Sequence, residues 1–271
     1  MEITLAKSAG FCFGVKRALK IVEEEAKKSK ITILGDLIHN EYVVNALKNK
    51  GIDSAGSLDE VNSERLVISA HGVADSVKEK AKKIVKVIDA TCPLVEKVHA
   101  CAKDIEKNGM HVVVIGQPNH TEVKGITGNL SNYTIIENVE EVGKLKDKNI
   151  GIVVQTTQDI EKVNEIVKKI KKTAKYVKFY DTICFATKDR QTEAKEISKK
   201  VDLMIVIGSK KSSNTKRLVE VCSRNTETKH VESDNDLDKR WFKKKKKIGI
   251  TAGASTPNIL IENVFNKIKN Y

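Results

Sequence analysis

The chain has 271 residues, 40% of them hydrophobic, 31% charged and only 4% aromatic, with a net charge of +13. That is the composition of an ordinary globular protein, long enough for two or three compact units. No run approaches the ~18 consecutive apolar residues of a membrane span, and five widely spaced cysteines do not make a disulfide framework.

The excess of lysine is spread over predicted helix faces (Lys27, Lys28, Lys82, Lys83, Lys168, Lys169), and the densest run, Lys243–Lys247, falls in a predicted loop before a strand. With so few aromatic side chains to stack on bases, no nucleic-acid partner is expected. A basic field suits an anionic metabolite or an acidic protein partner instead. The first residues lack the apolar core of a signal peptide, so a cytoplasmic location, with reduced thiols, is the expectation.

In chain order, the periodicity predicts alternating helices and strands. A helix over Val15–Lys28 follows Cys12, and Ile31–Leu34 reads as a strand ending at Gly35. A helix over Val43–Lys48, a strand over Leu66–Ser69 and a helix over Ser76–Val85 come next. Cys92 opens a helix to Lys107, which Asn108-Gly109 ends, and the strand His111–Ile115 runs to Gly116. A short helix after Glu122, the strand Ile150–Val154 and the helix Glu161–Lys172 continue the alternation. After Cys184 come a helix over Asp189–Lys200, the strand Asp202–Ile207 to Gly208, and the helix Thr215–Arg224. The strand Ile248–Ile250 and the helix Ile259–Lys269 close the chain.

One plan thus occurs three times. Each repeat opens with a cysteine at the start of a helix, and the glycine ending the next strand lies 23, 24 and 24 positions further on. Residues 1–92, 93–184 and 185–271 read as the three repeats. Strand–loop–helix order implies parallel sheets with right-handed crossovers, whose ligands sit beyond the carboxyl ends of the strands. The loops at those ends carry His39, His71 and His120, and further Gln155-Thr156-Thr157, Ser212-Ser213-Asn214 and Ser255. If the repeats are related by a pseudo-threefold axis, these loops line one central cavity.

A cysteine at a helix N-terminus has a lowered thiol pKa and is a competent metal ligand. Cys12, Cys92 and Cys184 all stand there, whereas Cys101 and Cys222 fall inside amphipathic helices and read as small buried hydrophobes. A zinc site of three cysteines and a histidine matches on ligand count, although the paired spacing of structural zinc is absent. An iron–sulfur cube held by three cysteines leaves one iron exchangeable. His39, His71 and His120 can donate to phosphate oxygens, with Ser212, Ser213, Asn214 and Ser255 as neutral donors. The serines also fit plain helix caps. Glu122, two residues after His120, is either a solvated surface carboxylate or an enclosed carboxyl that holds a proton. His99, His111 and His230 occupy none of the matched loops.

Nine short stretches, seven of them between the two end motifs, then carry a specific resemblance. They are Ala9-Gly-Phe-Cys12-Phe-Gly-Val together with His39-Asn40, Ser69-Ala-His71-Gly72, Asp89-Ala-Thr-Cys92-Pro, His120-Thr-Glu122-Val, Gln155-Thr156-Thr157, Asp181-Thr-Ile-Cys184-Phe-Ala-Thr, and Gly208-Ser-Lys-Lys-Ser212-Ser213-Asn214 with Thr251-Ala-Gly-Ala-Ser255. Over essentially its whole length the chain resembles the 4-hydroxy-3-methylbut-2-enyl diphosphate reductase family, terminal enzymes of the non-mevalonate isoprenoid pathway. The resemblance implies an α/β fold of three pseudo-threefold-related units around a central iron–sulfur cluster. It implies one [4Fe–4S] cluster per chain, ligated by Cys12, Cys92 and Cys184, whose open iron binds the substrate hydroxyl. His39, His71, His120, Ser212, Ser213, Asn214 and Ser255 would hold the diphosphate, Glu122 would supply protons, and Thr156 would orient the hydroxyl or a water. Thr121 stands where proline is common in relatives. The implied reaction removes the allylic hydroxyl with two electrons and two protons, giving isopentenyl and dimethylallyl diphosphates. No nucleotide-binding glycine fingerprint is present, so a ferredoxin or flavodoxin is the implied electron donor, and a basic surface suits it. A zinc-stabilised RNA-binding protein and a non-redox hydro-lyase with an open-iron cluster are the competing readings.

Overall fold

The computed structural model describes residues 1–145 and 148–271. In chain order its elements are β1 (Glu2–Leu5), α1 (Phe13–Ala26), β2 (Ile31–Leu34), α2 (Glu41–Asn49), β3 (Asp53–Ala55), β4 (Arg65–Ile68), α3 (Asp75–Lys82) and β5 (Lys86–Asp89). Then come α4 (Pro93–Lys107), β6 (His111–Ile115), α5 (Thr121–Thr127), β7 (Tyr133–Ile136), β8 (Asn149–Val154), α6 (Ile160–Thr173) and β9 (Tyr176–Phe179). The last are α7 (Phe185–Ser198), β10 (Leu203–Ile207), α8 (Ser213–Ser223), β11 (Thr228–Val231), β12 (Lys247–Ala252) and α9 (Asn258–Lys269).

Among the described residues these strands form three four-stranded sheets in the orders β3-β2-β4-β5, β7-β6-β8-β9 and β11-β10-β12-β1. Every pairing in them is parallel, as in the alignment of Val113 with Thr134 on one side and Ile152 on the other. The three orders are the same path drawn three times. One correction follows. Residues 1–92 read as a single repeat in the sequence, yet β1 pairs with β12, Ile3 opposite Ile248, and so completes the third sheet. In the first and second sheets the same edge is filled by β5 and β9, the strands that follow α3 and α6. The third repeat ends on α9, and the N-terminal strand supplies the missing edge.

The inner strands are apolar runs because both of their faces are covered. Alternate residues of β6 show this directly. Val113 and Ile115 pack with Ile152, Val154, Ile166 and Ile170, whereas Val112 and Val114 pack with Val98, Ile105, Val123 and Ile126. β10 divides in the same way, Ile205 and Ile207 toward Ile261 and Val264 and Met204 and Val206 toward Leu218 and Ala194. Burying each such side chain stabilises the fold by about 1.5–3 kcal/mol.

The chain separates into two compact units, one of residues 1–15, 39–43 and 185–271, the other of residues 16–38 and 44–184. The first holds the third sheet, and the second holds the other two. Helices α1 and α7 start at Phe13 and Phe185, ahead of the Val15 and Asp189 that periodicity predicts. Both phenylalanines are exposed, so neither contributes to an apolar stripe. Their position puts Cys12 and Cys184 immediately before a helix.

Candidate active site

The three cysteines occupy one topological place. Cys12 follows β1, Cys92 follows β5 and Cys184 follows β9, and each directly precedes a helix. Each main-chain N–H donates to a carbonyl two residues beyond the end of an inner strand of the same sheet. Cys12 donates to Ala254 at 3.1 Å, Cys92 to Ala70 at 3.0 Å and Cys184 to Thr156 at 3.1 Å. These bonds tie each cysteine to its own sheet just ahead of a helix.

All five cysteines are thiols, none in a disulfide. Cys222 is buried and desolvation pushes its thiol up to about 12, while burial also raises Cys101. Neither is a ready ligand. Among the described residues no three His, Cys, Asp or Glu side chains are grouped to hold a single metal ion. An iron–sulfur cube asks for something else, one thiolate on each of several irons. Cys12, Cys92 and Cys184 are partly exposed thiols, the donor type such a cube takes.

Within the larger unit, Glu122 is the focus. It lies in the first turn of α5 and is 2% exposed, contrary to the solvated alternative. Its Oε1 accepts from the Thr156 main-chain N–H at 2.6 Å and its Oε2 from the Thr156 hydroxyl at 2.8 Å. Burial pushes the carboxyl up to about 7, against the opposing pull of the two Thr156 bonds. A carboxyl poised there can carry a proton at neutral pH and release it.

His120 caps α5, its Nδ1 accepting from the Glu122 N–H at 3.2 Å. With Nδ1 an acceptor, the neutral ring carries its proton on Nε2, a tautomer assigned from this bond. The His71 ring meets that of His120 edge to face, with centroids 5.8 Å apart. Gly72, directly after His71, has φ +70, a left-handed conformation that a side chain would strain. The structure therefore brings His71, His120, Glu122 and Thr156 into one neighbourhood. Gln155, at the head of the Gln155-Thr156-Thr157 loop, is fully buried and accepts from the Gln117 N–H at 2.9 Å. It thereby fixes the loop leading to His120.

Within the smaller unit, the remaining polar residues form a second group. Ser212 is the cap of α8, its hydroxyl oxygen accepting from the Thr215 N–H at 3.3 Å, so its capping role is real. Its hydroxyl proton stays available for a ligand. Ser213 and Asn214 form the first turn of α8, both buried, and Asn214 Oδ1 accepts from the Ala254 N–H at 3.0 Å. Ser255 donates from Oγ to the His39 carbonyl at 3.3 Å. Two loops of the third sheet and the His39 segment are joined through these bonds.

The other histidines serve the scaffold. His111 bonds Asn132 and Thr134 through its two ring nitrogens, His230 Nε2 donates to the Gly208 carbonyl, and desolvation drives His99 down to about 4.

The raised Glu122 carboxyl makes stability pH-dependent. The folded state holds this proton more tightly than the unfolded chain, whose carboxyl titrates near 4.5. Its contribution is complete below that value and is lost as pH rises through about 7. The urea midpoint of the parent protein, taken relative to Glu122→Gln, should therefore fall between pH 5 and pH 8. A flat difference over that range would mean that the carboxyl ionises as an exposed one does.

No helix among the described residues is long and apolar enough to cross a membrane. Residues 3–269 match the family described as LytB protein. The 4-hydroxy-3-methylbut-2-enyl diphosphate reductase of Clostridioides difficile is 44% identical, with all of both chains covered. That of Aquifex aeolicus is 42% identical over 99% of this chain and 96% of its own. Among solved structures, the E-1-hydroxy-2-methyl-but-2-enyl-4-diphosphate reductase of Plasmodium falciparum matches with a TM-score of 0.93 at 36% identity, covering 98% of this chain and 87% of that one. A structure of (E)-4-hydroxy-3-methyl-but-2-enyl diphosphate reductase, the terminal enzyme of the non-mevalonate pathway, matches over the full length of both chains at 40% identity with a TM-score of 0.72. The chain belongs to the LytB protein family.

Proposed function

We propose that this chain performs the reaction its relatives are named for, the reductive removal of the hydroxyl from 4-hydroxy-3-methylbut-2-enyl diphosphate. The observation that carries this reading is the equivalent seating of Cys12, Cys92 and Cys184 at helix starts in three like sheets. In this reading the three thiolates hold one [4Fe–4S] cluster per chain. The bound cluster supplies electrons and Lewis acidity that no side chain can. Two electrons enter, the allylic C–O bond breaks, and two protons are taken up, one leaving with the oxygen as water and one ending on carbon.

The chain's own residues bind, orient and protonate. His71 and His120 Nε2–H donate to diphosphate oxygens, as do His39, Ser212, Ser213, Asn214 and Ser255, which spreads the ligand's charge over many donors. Glu122 holds a proton at neutral pH because burial favours its neutral form. The Thr156 hydroxyl, bonded to Oε2, passes it on or orients the group that receives it. The electrons come from a separate acidic carrier of the ferredoxin or flavodoxin class, for which a chain of net charge +13 is a suitable partner.

The test is anaerobic reconstitution with iron and sulfide, followed by substrate and a chemical reductant. A broad brown absorption band and formation of isopentenyl and dimethylallyl diphosphates in step with electron consumption are expected. A colourless protein that retains zinc, or a dehydration product formed without reductant, would overturn the reading.

A further inference from the structure

A buried hydroxyl of the smaller unit has no hydrogen-bond partner in the protein. Thr215, in the first turn of α8, is fully buried, and its Oγ1 makes no hydrogen bond. Its main-chain N–H is satisfied, donating to the Ser212 cap at 3.3 Å. Leaving a buried hydroxyl unbonded destabilises a fold, and native proteins seldom do so without a reason.

The main chain around Thr215 is shaped for that oxygen. A Cβ at Gly253 would stand 2.1 Å from Thr215 Oγ1, and one at Gly208 would stand 2.7 Å from it. Gly208 has φ +143, its N–H donating to the Val231 carbonyl at 2.9 Å and its carbonyl accepting from His230 Nε2 at 2.8 Å. Gly208 opens the loop to Ser212, Ser213 and Asn214, and Gly253 stands two residues before Ser255. Asn214 Oδ1 already ties the second loop to α8 through the Ala254 N–H. The unbonded hydroxyl therefore lies between the bases of both loops, behind a helix N-terminus that favours an anion. Thr256 is the contrast. It is equally buried, and its Oγ1 would stand 2.6 Å from a Cβ at Gly208, but its hydroxyl donates to the Ile207 carbonyl at 3.1 Å.

We propose that Thr215 is a positioning residue for the diphosphate, whose hydroxyl gains a main-chain partner when the bound anion draws the Gly208 and Gly253 loops onto the first turn of α8. This rests on the reading of Ser212, Ser213, Asn214 and Ser255 as diphosphate donors. The ligand-free protein carries an unbonded hydroxyl and the bound one does not, so the bond contributes only to the liganded state and shifts the loops toward it.

The experiment compares the full-length parent with Thr215→Val, Thr215→Ser, Thr215→Ala and Thr256→Val. Unfolding midpoints without ligand and binding of inorganic diphosphate are measured, then KM and kcat for the allylic diphosphate after anaerobic reconstitution. Thr215→Val should unfold at or above the parental midpoint and bind inorganic diphosphate about 10-fold more weakly, as loss of one hydrogen bond implies. Its KM should rise by a similar factor while kcat stays within about twofold. Thr215→Ser keeps the hydroxyl and should bind as the parent does. Thr256→Val loses a bond made in the free protein, so its midpoint should fall. A merely structural Thr215 would lower the midpoint in the same way and leave KM where it was. Parental diphosphate affinity in Thr215→Val, or a midpoint that falls as in Thr256→Val, would overturn the proposal. Should the added methyl of Thr215→Val prevent folding, Thr215→Ala against Thr215→Ser decides, and equal affinity in that pair overturns the proposal too. A parent protein that binds no diphosphate would sink the reading of these loops itself, and this inference with it.

Discussion

Cys12→Ser, Cys92→Ser and Cys184→Ser are each expected to lose most of their bound iron and, with it, reductase activity. A serine hydroxyl is a poor substitute for a thiolate on iron. Cys101 lies within α4 and Cys222 within α8, both with thiols raised by burial. Cys101→Ser and Cys222→Ser should retain parental iron. Cys222 is fully buried, its Sγ 3.9 Å from the Ala194 carbonyl, so a hydroxyl there costs about 1–3 kcal/mol of stability without touching the metal. Iron and sulfide per chain, determined after anaerobic reconstitution, separate the two classes. Equal retention in all five variants would refute the assignment of the ligands.

The parts of the fold visible in the sequence are those whose apolar residues are covered on both faces. His111–Ile115 is an unbroken apolar strand and is found as predicted, as is Ile31–Leu34. Among the described residues six strands were not legible, β3, β5, β9 and β11 with them. They are sheet edges of three or four residues, such as Asp53–Ala55 and Tyr176–Phe179, half-exposed and with no run to mark them. The pairing of β1 with β12 joins the two ends of the chain, which no local pattern can encode.

The site divides along the same line. Its residue types were legible because they recur at matched positions in three repeats, but their partners were not. The burial of Glu122 depends on the Thr156 amide, which is 34 positions away in the chain. A polar loop in the sequence gives no sign of that. Ser212 shows the reverse, a candidate ligand-binding serine that also makes an ordinary capping bond.

Glu122→Gln and His71→Ala are expected to fail in different ways. Glutamine fits the space of the carboxyl, its carbonyl oxygen able to accept the Thr156 N–H as Oε1 does at 2.6 Å. Its amide N–H would then donate to the Thr156 hydroxyl oxygen, reversing a bond now donated by that hydroxyl. Packing and substrate binding should survive, and turnover should fall at least ~10²-fold, the loss typical of a missing general acid. The parent's turnover should also decline as pH rises through about 7, where Glu122 gives up its proton, and the variant should lack that decline. His71→Ala and His39→Ala remove the donors proposed above for the diphosphate, whose loss acts on ground and transition states alike, so KM is expected to rise while kcat changes far less. Steady-state reduction with a chemical donor, alongside direct substrate binding to the reconstituted protein, measures both effects. A Glu122→Gln enzyme with the parental rate would make this buried carboxyl a packing residue and move the proton source elsewhere.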